Sequence, residues 1–338
     1  MENRGDVMFS IIIPVYNQRE YLPYCIESLS NQTFQGFEAI LIDDGSTDGS
    51  SKLCDEYAQK FPYIKVIHKK NEGVMYARRT GIQCARGRFL MFLDSDDELK
   101  SDCLITVKKT IDETGCDCVF FNASTHDDFS DVIFDYRDIV INSEKKKILE
   151  MMCGTHILNS MCTKCISCYL FDDYDFEGVS MVTYGEDYFQ LLPVLDRVTA
   201  VTVIDQPLYY YRQHQSSVTH RYNRRQIESL PFVLQRLTFY AQKWMIEYNC
   251  DYLSLVNYYG AQECYTIIKN ISFSDMAFNE KIREINYFKG TQIYKNYYKY
   301  VTLSLSFYRR VLFKILTDAP KMIRCAVIKL YTKNKFLK

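Results

Sequence analysis

The chain has 338 residues, 47% hydrophobic and 25% charged, a balance that fills a sizeable globular core. Glycine (13) and proline (7) are too sparse for a collagen-like or disordered chain, and 41 Lys/Arg against 42 Asp/Glu exclude a uniformly basic nucleic-acid binder. The net charge of −1 hides an asymmetry, because residues 301–338 carry nine Lys/Arg and one Asp, about +8, leaving roughly −9 for the rest.

The first strand is read at Phe9–Tyr16, an almost unbroken apolar run rich in β-branched residues, as expected of a strand buried on both faces. Tyr21, Leu22, Cys25, Ile26 and Leu29 then recur at helical spacing. Further buried strands are expected at 37–42, 64–68 and 89–93, with helical patterns near 49–60 and 73–86. Strand and helix alternating over short connections, from residue 9 to about 122, predict an α/β fold with a mostly parallel sheet flanked by helices. From 130 to 220 the pattern is less regular, with helices expected at 143–153 and 186–196 and strands near 198–204 and 207–211. After about 222 long helical patterns rich in Tyr, Phe, Leu and Ile take over, so a catalytic domain over 1–222 and a helical C-terminal extension over 223–338 are expected.

Ligands of such sheets bind beyond the carboxyl ends of the strands, which directs attention to the polar residues there. The first strand ends in Pro14-Val15-Tyr16-Asn17, the second in Asp43-Asp44-Gly45-Ser46-Thr47-Asp48, and the fourth in Asp94-Ser95-Asp96-Asp97. Carboxylates there must meet solvent, a donor or a cation. Asp94, Asp96 and Asp97 at one mouth repel one another, which favours a divalent cation; oxygen ligands suit Mn²⁺ or Mg²⁺ held jointly with substrate phosphates. Asp43 and Asp44 are candidates to accept hydrogen bonds from a base or ribose, and Tyr16 to stack on a base.

Together, Ser-Ile-Ile-Ile-Pro-Val-Tyr-Asn (10–17), Asp-Asp-Gly-Ser-Thr-Asp (43–48) and Phe-Leu-Asp-Ser-Asp-Asp (92–97) resemble the hallmark blocks of family 2 glycosyltransferases, such as those of bacterial capsule, exopolysaccharide and O-antigen synthesis. Asn71-Glu72-Gly73-Val74, Ala77-Arg78, Gly81-Ile82 and Ala85-Arg86-Gly87 are similar to the stretch preceding the last block. One departure is Arg79-Thr80, which fills the gap before Gly81-Ile82 where the family commonly has Ala-Arg-Asn. The resemblance spans about residues 9–220 and implies a GT-A (Rossmann-like) fold, a nucleotide-sugar donor (UDP by family expectation), a divalent metal, and inversion at the anomeric carbon. It places Pro14, Tyr16 and Asp44 at the nucleoside, Arg78 near the phosphates and Asp96 on the metal. Asn17, Asp43, Asp94 and Ser95 complete the expected donor-binding set.

The family's general base is usually an acidic residue of a Glu-Asp pair opening a helix. Tyr184-Gly185-Glu186-Asp187-Tyr188-Phe189 matches, which implies Asp187 as base with Glu186 in support; on spacing alone the pair also suits the positive end of a helix dipole. A second family-like block, Tyr209-Tyr210-Tyr211-Arg212-Gln213-His214-Gln215-Ser216-Ser217, puts Arg212 and His214 on one side of an extended segment, where they are expected to close over the pyrophosphate or touch the metal. Cys162-x-x-Cys165-x-x-Cys168 has iron–sulfur-like spacing. It coincides with a family segment near the acceptor site, and buried cysteines serve as small hydrophobes, so it is read as structural.

No signal-peptide pattern opens the chain at Met1–Asp6, and no apolar run approaches the roughly 18 residues that cross a bilayer, so a cytoplasmic, soluble or peripheral protein with reduced cysteines is expected. Tyr308–Leu316 and Lys321–Tyr331 interleave apolar residues with Lys/Arg, the composition of amphipathic helices lying on an anionic inner membrane surface. The expected partners are thus a nucleotide-sugar donor, a glycan or lipid-linked oligosaccharide acceptor and that membrane surface, with no nucleic acid. A catalytically silent binding or scaffold protein of the same fold is the alternative. A nicotinamide-dependent oxidoreductase is excluded, because Pro14-Val15-Tyr16-Asn17-Gln18-Arg19 stands where Gly-x-Gly-x-x-Gly would be needed.

Overall fold

A computed structural model describes residues 7–134, 136, 145–155, 158–172, 182–213 and 222–335. The chain forms two compact units, one of Met1–Met152, His156–Val179 and Glu186–Gln213, the other of Cys153–Thr155, Ser180–Gly185 and His214–Lys338. Among the described residues no helix is long and apolar enough to cross a membrane.

The first unit is built on an eight-stranded mixed sheet. In chain order its elements are β1 (Phe9–Val15), α1 (Leu22–Ser30), β2 (Phe37–Asp43), α2 (Ser50–Lys60), β3 (Ile64–His68), α3 (Val74–Cys84), β4 (Phe89–Phe92) and β5 (Glu98–Leu99). There follow α4 (Cys103–Thr114), β6 (Cys118–Ser124), α5 (Lys145–Gly154, which runs on into the second unit), β7 (Lys164–Ser167), α6 (Glu186–Arg197) and β8 (Val201–Tyr210). The strand order is β3-β2-β1-β4-β7-β6-β8-β5. β1 lies between β2 and β4, parallel to both, and the full burial of Ile11, Ile12 and Ile13, which point to alternate faces, shows that both its faces are covered. Burial of each such side chain stabilises by about 1.5–3 kcal/mol. On α3, Gly81 lets the helix lie close to the sheet: a Cβ there would stand 2.4 Å from Ile12 Cγ2. The register Val15↔Asp43 brings the carboxyl ends of β1 and β2 level, and β4 ends beside them with Ile12 opposite Phe92.

Three features depart from the sequence reading. β7 is inserted antiparallel between β4 and β6, which makes the sheet mixed. The two strands expected near 198–204 and 207–211 are one, β8, whose pairing jumps from Phe121↔Ile204 to Asn122↔Pro207; Asp205 and Gln206 bulge out to solvent and imitate a turn in sequence. α4, β6 and β7 were not separated as elements by periodicity at all.

The second unit is helical: α7 (Arg225–Tyr248), α8 (Tyr252–Phe273), α9 (Phe278–Gly290), α10 (Gln292–Ser304), α11 (Phe307–Asp318) and α12 (Lys321–Lys335). α7 ends on Asn249 in the left-handed conformation, and Asp251 caps α8 by accepting from Ser254 N at 3.1 Å. The buried face of α8 (Val256, Tyr259, Cys264, Ile267, Ile268, Ile271) supplies the unit's core.

Candidate active site

All the described candidate residues belong to the sheet unit. At the β1 end Asn17 takes a positive φ of 53°, which turns its side chain to accept from Thr47 N at 2.8 Å while its own N–H donates to Ser46 Oγ at 3.1 Å. Asn is among the few residues that adopt this conformation readily. The turn leaves Tyr16 half exposed at the strand end, with Pro14 half-buried beneath it.

Asp43 and Asp44 are buried and held by the protein itself. Asp43 accepts from Ser46 N (3.0 Å) and Ser51 Oγ (2.6 Å), and His68 Nδ1 lies 2.8 Å from it. Burial raises the Asp43 pKa, but the His68 and serine hydrogen bonds outweigh it and hold the carboxyl below the usual range. His68 is pushed up in turn by Asp43 and by Asp55, 3.0 Å from its Nε2. Asp44 accepts from Lys69 Nζ, Glu72 N and Gly73 N at 3.1, 3.1 and 2.7 Å. Gly73 does this at φ 95°, ψ 166°, a region open essentially to glycine alone. The two acids thus brace the β2–β3–α3 corner. His68 and Lys69 were missed by sequence reasoning, because their role comes from the β2–β3 register, Asp43↔His68, and not from any motif.

The second cluster joins the two chemical motifs. Arg78, on α3 and only 2% exposed, donates from Nη1 to Asp187 Oδ1 and from Nη2 to Asp94 Oδ1 (3.3 Å), while its Nε is buried without a partner. Burial opposes the charge on Arg78, but the flanking Asp187 and Asp94 hold it on. One guanidinium therefore bridges the end of β4 and the first turn of α6. Asp187 Oδ2 also accepts from Met161 N at 2.9 Å, which fixes both carboxylate oxygens. Beside it the Glu186 carboxyl is raised to about 7 by burial and by Asp187, against the pull of Arg78. Burial likewise raises Asp94, with Asp187 and Asp96 adding to it and Arg78 opposing. Cys162, the first cysteine of the Cys-x-x-Cys-x-x-Cys run, is buried next to Asp94, and its thiol is pushed up by burial and by that carboxylate. Lys164 is fully buried, donates to Ser160 O, lies 4.7 Å from the Phe120 ring and is lowered by burial to about 8.

The expected three-carboxylate ligand set does not assemble. Asp97 turns inward, accepts from Tyr209 Oη at 2.5 Å and Arg212 N at 2.8 Å, and is raised well above the usual range by burial and by Asp94 and Asp96. Among the described residues no group of three such side chains is arranged to hold a metal ion. What remains is the half-buried pair Asp94 and Asp96, the latter 3.4 Å from Gln18 Nε2. Two hard oxygen donors fit Mn²⁺ or Mg²⁺ that completes its shell with substrate phosphate oxygens. Ser95 between them is buried. Arg212, expected over the pyrophosphate, pairs with Glu98, donates from Nε to Asp96 O at 3.1 Å and sits within 5.8 Å of the Tyr21, Tyr24 and Tyr210 rings. It buttresses the Asp94–Asp97 turn. His214 lies outside the described residues.

Comparison with known proteins speaks to the family and the fold. Residues 10–175 match the model of Glycosyl transferase family 2. The chain is 30% identical over 223 residues to the putative glycosyltransferase EpsH of Bacillus subtilis, covering 65% of each, so it spans just under two thirds of that relative's length. It resembles the structure of S. aureus TarS 1-349 in complex with UDP-GlcNAc, at 19% identity and a TM-score of 0.63, over 97% of this chain and 92% of that one. It resembles the mannosyltransferase PcManGT of Pyrobaculum calidifontis in complex with GDP-Man and Mn²⁺, at 13% identity and a TM-score of 0.55, over 96% and 87%. At these identities the two structures speak to the fold, which is GT-A. With the family's model over residues 10–175, just under half of the chain, and its hallmark blocks gathered at the carboxyl ends of the strands, that part of the chain belongs to glycosyltransferase family 2.

Proposed function

We propose that the protein is an inverting, metal-dependent glycosyltransferase. In this reading it moves a sugar from a UDP-sugar to a lipid-linked glycan acceptor at the cytoplasmic face of a membrane, in the synthesis of a cell-surface polysaccharide. The observation that carries the reading is the Arg78 bridge, which brings the Asp187 carboxylate beside Asp94 of the Asp-x-Asp block. An inverting transfer needs these elements together, a base on the acceptor side and anion-handling groups on the donor side.

Asp187 is the proton acceptor. The acceptor hydroxyl attacks the anomeric carbon from the face opposite the diphosphate, its proton passes to Asp187, and the nucleoside diphosphate leaves, so configuration inverts. Arg78 and Met161 N orient the carboxylate, and each of its oxygens keeps a second lone pair for the proton. Its 23% side-chain exposure leaves it open to a hydroxyl. Asp94 and Asp96 would hold the divalent ion, which when bound offsets the charge gathering on the departing diphosphate. Tyr16 is placed to stack on the base, and the Asn17 turn and the Asp43–Asp44 corner shape its pocket. The UDP preference draws support from the TarS complex and the metal from the PcManGT complex.

Donor hydrolysis tests the reading. The chain is incubated with UDP-, GDP- and dTDP-sugars in Mn²⁺, Mg²⁺ or EDTA, and free nucleoside diphosphate is assayed. Metal-dependent release from one donor, lost in Asp96→Ala, is the expected result. Absence of release together with absence of any nucleotide-induced thermal shift would favour a silent binding protein.

A further inference from the structure

We infer that the last two helices, α11 and α12, form an in-plane docking surface for a bilayer of anionic phospholipid. This deepens the membrane part of the proposed function, yet it stands on observations independent of the transfer chemistry. Seven of the seventeen exposed large apolar or aromatic side chains among the described residues fall within 303–330, so exposure is concentrated there. A soluble helix hides such residues against its own core. These helices hide Phe313, Leu316 and Ile328 but leave Phe307, Tyr308, Val311, Met322, Ile323 and Leu330 exposed.

On α12 the buried residue is Ile328. Met322, Ala326 and Leu330, at i, i+4 and i+8, lie on the opposite side together with Ile323. Met322 is 85% exposed and Leu330 65%. On α11 the core takes Phe313, Leu316 and Thr317, while Phe307 (67% exposed), Tyr308 (83%) and Val311 face outward. Exposed Lys314 and Lys329 accompany these apolar surfaces, while Lys321 donates to Asn279 Oδ1 at 2.9 Å. The one acid of the two helices, Asp318, is engaged by Lys289 at 2.8 Å.

The occupant follows from this pairing of chemistries. A nucleic acid would satisfy the cations but has no use for Met322, Leu330 and Phe307. A second copy of the chain would bring like charges together. An anionic membrane takes both: apolar side chains enter the acyl boundary while lysines meet phosphate headgroups.

The test uses the full chain sedimented with vesicles of phosphatidylcholine alone or of phosphatidylcholine mixed equally with phosphatidylglycerol. Binding to the mixed vesicles is expected to be at least about tenfold tighter and to weaken with salt. Both Met322→Glu/Leu330→Glu and Lys314→Glu/Lys329→Glu should lower it by about tenfold or more, with thermal melting confirming that each variant is folded. Equal binding to the two vesicle types, no binding, or binding indifferent to Met322→Glu/Leu330→Glu would overturn the inference. Concentration-dependent dimerisation abolished by the same variant would overturn it in favour of self-association. Donor hydrolysis by these variants in vesicle-free buffer should match the parent chain. A chain that binds vesicles but releases no nucleoside diphosphate therefore sinks the proposed function alone, and the converse result sinks the docking surface alone.

Discussion

The two units break the ordinary partition of polar and apolar groups in opposite directions. The sheet unit buries charge: Arg78, Asp43, Asp44, Asp97 and Lys164 are all nearly inaccessible. The helical unit exposes Phe307, Tyr308, Met322 and Leu330. Buried charge is costly unless it is paired, and exposed apolar surface is costly unless something covers it. Folds depart from local rules where function requires it. The departures here are of different kinds. In the sheet unit each buried charge already has partners within the chain, so removing one partner damages both stability and chemistry. In the last helices Met322 and Leu330 stand mostly in solvent, so removing them should leave the fold untouched.

The largest effect is expected at Asp187. Asp187→Asn keeps the size of the side chain and a contact for Met161 N but removes the proton acceptor, so the transfer rate should fall by roughly 10²- to 10⁴-fold. Donor hydrolysis and transfer to acceptor, measured side by side, decide it; undiminished transfer would move the base elsewhere and strip the Arg78 bridge of its meaning. Arg78→Met comes next. It leaves Asp94 and Asp187 facing each other without their cation, and breaking a buried pair costs on the order of 3–5 kcal/mol. Thermal melting should show a large loss, partly restored by adding Asp94→Asn, which removes one of the stranded charges. No restoration in the double variant would mean that Arg78 acts by packing rather than by charge.

Much of the sheet unit was legible in sequence because buried parallel strands write themselves as apolar runs. Phe9–Val15, Phe37–Asp43 and Ile64–His68 were placed within a residue or two, and the acids following them fell at one edge. What was not legible depends on pairing between distant segments. β7 opens with Lys164, a charged residue that sits buried in a central strand because its ammonium finds Ser160 O and the Phe120 ring. Asp205 and Gln206 look like a turn and are a bulge. Asp97 looked like a third metal ligand, but Tyr209 lies more than a hundred residues away in sequence and its hydroxyl claims that carboxylate. The Arg78 bridge was equally hidden: sequence places Arg78 near phosphates, while the fold joins it to both acidic motifs.

A smaller effect separates the two acids of the α6 turn. The Glu186 carboxyl, raised to about 7, holds its proton more tightly in the folded chain than in the unfolded one. Its contribution is therefore present at low pH and is lost as pH rises from the ordinary carboxylate range through about 7. Glu186→Gln removes that loss. With the partial exposure of the residue discounted, the variant should be more stable than the parent by about 1–2 kcal/mol at pH 8 and nearly equal to it at pH 4. Melting curves across that range test the sign directly. A variant destabilised equally at both ends would show that Glu186 is held by packing and that burial of its charge is not the source of cost.

The smallest effect is the one that defines the helical unit. Met322→Glu/Leu330→Glu adds two charges to surfaces that water already reaches, so the melting temperature should change by no more than the equivalent of about 0.5 kcal/mol. The same exchange at Ile328, buried on the opposite side of α12, removes a core side chain and strands a carboxylate, and should cost several kcal/mol. The contrast is internal to one helix and needs no substrate, membrane or metal. Equal losses at the two faces would place Met322 and Leu330 against protein, and the comparison between a unit that buries charge and a unit that exposes apolar surface would fail on its second half. A loss at Ile328 alone leaves an outward apolar face whose presence the chain's own stability does not explain.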